Sequence, residues 1–273
     1  MSRLCPFFWF CLLFFVFFRC PAQQDTLLKK EKTPVSLSDF HYGDMVLENG
    51  AAGVFLTSHQ LHVSFENRFC IKSLMLEEVG AVFRYRQNAF AAEASHFGDH
   101  RYGKVSVAFG YARGFGKHLS VGLKFYYYLE HAQEMPALHS ISFDLSLYAA
   151  LGKNMGLGFA VLNPAGLRYG IVGKQKLPVR FNLFWDYRIG KNILLTAQLE
   201  KELQSRLMIF VGAKYRIRCL CLSLKIGCPT PRMSVSIMLA YRQFLLGVSG
   251  EYHLPLGFVP KAQIFWRFGS AAF

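Results

Sequence analysis

From about Leu61 to Phe268 the chain alternates apolar and polar residues in one short run after another. Residues 117–130 show the pattern most plainly. Leu119, Val121, Leu123, Phe125, Tyr127 and Leu129 fall on one face, while His118, Ser120, Gly122, Lys124, Tyr126, Tyr128 and Glu130 fall on the other. Side chains along a strand alternate faces with a period of two, so this is a ribbon with one apolar and one wetter face. Ile141, Phe143, Leu145, Leu147 and Leu151 oppose Ser140, Ser142, Asp144, Ser146 and Tyr148 in the same way. Val179, Phe181, Leu183, Trp185, Tyr187 and Ile189 oppose Arg180, Asn182, Phe184, Asp186 and Arg188. Leu207, Ile209, Val211, Ala213, Tyr215 and Ile217 oppose Arg206, Met208, Phe210, Gly212, Lys214 and Arg216. No charge lies on the apolar face of these last three, where a lysine or arginine at the bilayer midplane costs about 2–4 kcal/mol.

The pattern predicts about fourteen strands, at 60–69, 77–86, 89–98, 102–113, 117–130, 140–151, 155–163, 177–189, 193–202, 206–217, 220–228, 232–241, 243–252 and 259–268. Most approach the roughly 9–11 residues that a tilted strand needs to cross a hydrocarbon layer. Gly116-Lys117-His118, Gly152-Lys153-Asn154 and Gly190-Lys191-Asn192 are near-copies of one tight turn, spaced by two strands and two connections. Between them lie longer connections at 131–139, 164–176 and 253–258. Short turns at one end, longer loops at the other and an even strand count describe a closed antiparallel transmembrane β-barrel of the outer membrane, both termini periplasmic. The barrel is expected over 59–273. Residues 23–58 lack the alternation, and are either a periplasmic tail or a plug folded into the barrel.

Composition supports the lipid-facing reading: the chain is 52% hydrophobic and 16% aromatic, with 27 Phe. A basic start at Arg3, an uncharged run from Leu4 to Phe18 and small residues at Cys20 and Ala22 predict a secretory signal over 1–22, cleaved before Gln23. A retained anchor and acylation at Cys20 are the competing readings. Loss of Arg3 and Arg19 lowers the net charge from +14 to +12. The basic residues are spread singly along strands, except Lys29, Lys30 and Lys32, so nucleic acid is not an expected partner.

Cys70, Cys219, Cys221 and Cys228 remain beyond the signal. They read as small buried residues, or as a disulfide from Cys228 to Cys219 or Cys221. No cofactor, metal or catalytic residue is expected. His139-Ser140 is the nearest approach to an enzymatic pair. The inward charged residues Lys124, Arg180, Asp186, Arg188, Lys214, Arg216 and Lys225 face a lumen, together with Glu66, Asp144, Glu200 and Arg267. They form either a mutually satisfied ion-pair network or a basic conduit favouring anionic solutes.

The last strand alternates Ile264, Trp266 and Phe268 with Gln263, Phe265 and Arg267, and the chain ends on Phe273. Trp266, Phe268 and Phe273 resemble the terminal signal engaged by the barrel-assembly machinery. Three further stretches resemble a known family: Val63-Ser64-Phe65-Glu66-Asn67-Arg68-Phe69, Leu162-Asn163-Pro164 with Lys176-Leu177-Pro178, and Tyr252 through Pro260. These are similar to small barrels of Bacteroidota outer membranes, related to fatty-acid-transporter-like barrels and to barrel components of type IX secretion. Asn163-Pro164-Ala165-Gly166 lies mid-chain, whereas the transporters carry their similar motif near the N-terminus. The resemblance implies a barrel embedded in outer-membrane lipid. Its two functional expectations are passive transport of small amphipathic or anionic solutes, or a non-conducting scaffold with secretion-system partners.

Overall fold

The computed structural model describes residues 37–167, 177–254 and 256–269; the expected signal over 1–22, the tip of the long loop and Phe273 lie outside them. Fourteen strands form one closed antiparallel barrel. They are β1 (His59–Asn67), β2 (Met75–Tyr85), β3 (Asn88–Gly98), β4 (Tyr102–Phe115), β5 (Leu119–Ala132), β6 (Leu138–Leu151) and β7 (Met155–Leu162). The second half is β8 (Arg180–Ile189), β9 (Ile193–Glu202), β10 (Met208–Ile217), β11 (Leu220–Cys228), β12 (Arg232–Tyr241), β13 (Phe244–His253) and β14 (Gly257–Phe268). Each strand pairs with its sequence neighbour, and β14 returns to β1 with Leu61 opposite Trp266 and Val63 opposite Ile264. Closure leaves no free sheet edge where lipid offers no hydrogen-bond partner.

The two faces separate as the alternation predicts. Val211, Ile141, Phe109 and Phe125 are exposed on the outer surface, whereas Ser120, Ser142, Ser146 and Tyr148 are buried inside. Aromatic rings gather at the rims of the outer surface. Phe244, Trp266, Phe268 and Phe83 adjoin one another near the turn end, and Trp185 stacks on Tyr187 with centroids 6.0 Å apart. Near the loop end Tyr127 bonds to His139 Nδ1 at 2.6 Å.

At one mouth the connections are turns of two or three residues. Gly116, Gly152 and Gly190 there take φ of 69°, 72° and 63°, which a residue with a Cβ adopts only under strain. At the other mouth lie the longer connections, including 68–74 and 163–179. The expected asymmetry is incomplete, since 99–101, 229–231 and 254–256 are as short as the turns. Both barrel ends, His59 and Phe268, lie at the turn mouth. The disulfide expectation is corrected. The described cysteines form no disulfide. Cys219 immediately precedes β11 and Cys228 ends it, so they lie about 30 Å apart at roughly 3.3 Å per residue, and Cys221 is about 23 Å from Cys228. A disulfide needs Cα atoms within about 7 Å.

Between a tail and a plug, residues 37–55 take the second form. Helix α1 (Leu37–Glu48) and a 3-10 turn (Gly50–Phe55) fold into the barrel, with Phe40, Val46, Asn49, Ala51 and Ala52 buried. In cells, a cysteine placed at Met135 between β5 and β6 should react with a membrane-impermeant maleimide, and one at Lys153 should not. The opposite pattern would reverse the barrel in the membrane.

Candidate functional site

The lumen has two layers. The turn-side layer is the plug, received by a wall whose facing residues are small: Ala89, Ala112, Gly122, Gly158 and Ala160. A Cβ at Gly122 would lie 2.9 Å from the Ala51 nitrogen, and one at Gly158 would lie 2.8 Å from Asn49 Nδ2. Met45, Val46, Ala51, Ala52 and Leu56 pack there against Val82, Tyr148, Ala160 and Phe184. Burying each of the larger apolar side chains contributes about 1.5–3 kcal/mol. Ala51 is held at both ends by wall serines: its N–H donates to Ser146 Oγ at 3.0 Å, and Ser120 Oγ donates to its carbonyl at 2.8 Å. Asn49 donates to the Leu147 carbonyl at 3.1 Å and accepts from Ala51 N.

Polar contacts on β8 and β10 complete the seat. Lys214 Nζ lies 2.7 Å from Asp44 Oδ2, and His41 Nε2 lies 3.4 Å from Asp186 Oδ1, which also accepts from Tyr148 OH at 3.0 Å. His41 and Asp44 are three residues apart on α1 and therefore share a face. Asp44 sits in the C-terminal half of the helix, where a carboxylate is opposed by the helix dipole, and Lys214 offsets that.

The loop-side layer is polar and largely paired across strands. Lys124 bonds Glu93 at 2.6 Å and lies 5.1 Å over the Tyr126 ring, which stacks with Tyr128. Lys261 meets Glu78 at 3.5 Å, and Ser64 donates to the same carboxylate. Arg180 lies 3.4 Å from Glu200, Arg68 3.0 Å from Glu66, and His253 2.8 Å from Glu251. A buried tight turn at Asn163 borders this layer. Asn163 Nδ2 donates to the Leu177 carbonyl at 2.8 Å and its Oδ1 accepts from Leu167 N, so the two halves of the Asn163-Pro164 and Leu177-Pro178 motif meet in space.

The charged residues expected to face the lumen lie on the inner wall, in two separate groups. Asp186 and Lys214 hold the plug; Arg188 and Arg216 lie near the turn mouth, Arg216 donating to Asn192 Oδ1 at 3.2 Å. Lys124, Arg180 and Lys225 belong to the loop-side layer, where Lys225 Nζ donates to Gln198 Oε1 at 2.7 Å. Of the expected residues, Lys124, Arg180 and Lys214 each meet a carboxylate. Missed in the sequence were Glu93, Glu78 and Lys261, which the period-two parity of their strands would have placed inside, and His41 and Asp44, for which no periodicity existed. His139 and Ser140 point to opposite faces, His139 outward to Tyr127 and Ser140 buried inward, so they cannot act as a pair. Trp266 and Phe268 lie on the outer face of the closing strand with ring centroids 5.0 Å apart, and Trp266 Nε1 donates to Gln243.

No family model and no curated protein sequence matches the chain. Solved structures do. A FadL homologue of Pseudomonas aeruginosa superposes with a TM-score of 0.60 at 10% identity, over 82% of this chain and 94% of that one. The toluene transporter TodX of P. putida gives 0.57 at 9%, over 81% and 92%. Omp33, an outer membrane protein of Acinetobacter baumannii, gives 0.52 at 7%, over 78% and 98%. The chain has the outer-membrane barrel fold. At these identities the likeness is one of fold, and it agrees with the fatty-acid-transporter-like barrel expected from the sequence. It adds nothing to the resemblance to Bacteroidota barrels or to type IX secretion.

Replacing Gly122 with Val should unseat the plug while leaving the wall closed. Proteolysis within 37–56 in detergent should accelerate about tenfold, equivalent to about 1.4 kcal/mol of lost seating. Heat-modifiable migration on gels should persist. Cleavage at the wild-type rate would mean that the plug does not rest on this wall.

Proposed function

We propose that the chain is a passive transport barrel for small amphipathic or anionic solutes, with α1 and the 3-10 turn closing its turn-side mouth. The observation that carries this reading is the independence of the plug from the wall. The backbone hydrogen bonds of Asn49, Ala52 and Leu56 run to Met45, Asn49 and Gly53, within the plug itself. The plug is held by side chains: the Lys214–Asp44 ion pair, the His41–Asp186 contact, the serines around Ala51, Asn49 and two apolar clusters. Its displacement would therefore open a passage without breaking any of the strand ladder on which the barrel depends in lipid. The loop-side layer, polar and studded with aromatic rings, is suited to solutes that carry both a polar group and an apolar body.

Among the structural neighbours, the toluene transporter TodX supports the same reading. The alternative, a non-conducting scaffold for type IX-like secretion, rests on the sequence resemblance alone. On the outer surface, Trp266 and Phe268 offer the closing strand to the assembly machinery during biogenesis.

Purified full-length chain in planar bilayers should show small, intermittent conductance. A chain lacking residues 37–56 should show larger and sustained conductance, and Asp44→Lys should fall between. If both the full-length and the plug-deleted chains are silent while migrating as folded, heat-modifiable barrels, the transport reading fails.

A further inference from the structure

Among the described residues Lys124, Arg180, Lys214 and Lys261 each meet a carboxylate in the lumen; Lys225 and Arg232, on the loop-side wall, do not. Lys225 has only the Gln198 amide oxygen, at 2.7 Å, and the face of the Phe210 ring, 4.9 Å from Nζ to the centroid. The Nε of Arg232 is buried and has no hydrogen-bond partner among the described residues. The nearest acids are engaged elsewhere, Glu200 by Arg180 and Glu251 by His253.

Strand pairing places these groups together. Gln198 is opposite Phe210, Phe210 is opposite Gly227, and Gly227 is opposite Arg232, so one row crosses β9 to β12 on the inner face. The Phe210 ring lies over Gly227, where a Cβ would approach Cε1 to 2.6 Å. Diagonal to Gln198, on β8, is Asn182. It is 5% exposed, and its Oδ1 is buried without a hydrogen-bond partner among the described residues. Buried amides are nearly always bonded, so an unpaired amide oxygen diagonal to the Gln198 that Lys225 engages marks a place for a polar ligand.

We infer that Lys225, Arg232, Gln198 and Asn182 form a binding subsite for a small organic carboxylate, on the loop-side wall of the lumen. The guanidinium fork of Arg232 matches a carboxylate bidentately, and Lys225 adds a point charge. The amides offer hydrogen bonds to a second polar group. The subsite lies near the loop mouth, ahead of the plug, where an incoming solute arrives first. The inference rests on the transport reading and gives it a substrate class.

Benzoate titrated calorimetrically into the full-length chain in detergent should bind saturably, and neutral benzyl alcohol should not compete. The Lys225→Gln/Arg232→Gln double variant should lose benzoate affinity about tenfold or more. Lys225→Arg should retain binding, as should Arg101→Gln in an outer loop, with heat-modifiable migration confirming each fold. Absence of saturable binding, equal binding by the double variant, or equal binding of benzyl alcohol would overturn the subsite. Flux into liposomes separates the two readings. If benzoate and benzyl alcohol pass alike, transport stands and the subsite falls; if neither passes even without residues 37–56, both fall.

Discussion

Everything in this molecule follows from the need to satisfy the backbone in lipid. A spanning strand has no water to bond its amides and carbonyls, so each must meet a neighbouring strand, and the first strand must meet the last. The pairing of Leu61 with Trp266 and of Val63 with Ile264 meets that demand. Antiparallel neighbours and an even count then bring both ends of the wall to the same mouth. The residues before His59 therefore begin at the turn end. Only Leu56, Thr57 and Ser58 separate Phe55, the last residue of the 3-10 turn, from the start of β1. The plug is tethered at the mouth it closes.

A wall of this size also has an interior to fill. Side chains alone just fill a barrel of about eight strands; a wider one holds a ligand space, a channel or an inserted segment. Here the turn-side part is filled by α1 and the 3-10 turn, and the wall is shaped to receive them. Small residues on β3 to β7 leave room, while Leu245, Phe265 and Met238 on β12 to β14 fill inward from the far side. Towards the loop end the connection from β1 to β2 carries two short 3-10 turns, Arg68–Cys70 and Lys72–Leu74, and many wall residues pair with one another across strands.

The wall was legible because lipid enforces a strict rule. Leu119 to Leu129 and Leu207 to Ile217 cannot slip by one residue without turning their charges outward, so the period-two pattern is clean and the faces follow from it. Strand ends were less legible. β8 begins at Arg180 and not at Leu177, since Pro178 has no amide to donate to a ladder. Glu93 was hidden because alanines occupy both faces of β3 around it, which blurs the alternation. The plug was illegible for a deeper reason. Phe40, His41, Met45, Val46 and Asn49 are all buried, and they mix polar with apolar residues because the wall that receives them offers charges and serines as well as apolar side chains. Amphipathic periodicity reports an apolar core against water, and this wall is not uniformly apolar.

The distribution of charge separates what holds the lumen shut from what it can receive. Lys214 and Asp186 are committed to Asp44 and His41, and Lys124 and Lys261 to Glu93 and Glu78. Such pairs cost desolvation and return it only while both partners stay in place, so they specify one arrangement of the interior more than they add to its stability. Lys225 and Arg232 stand outside this arrangement, on the loop-side wall. A cation already paired has little field left for a ligand; one facing only an amide and a ring keeps more of it. Which cations are left so is fixed by which strands carry acids on their inner face, β2 and β3 supplying Glu78 and Glu93 while β11 supplies none.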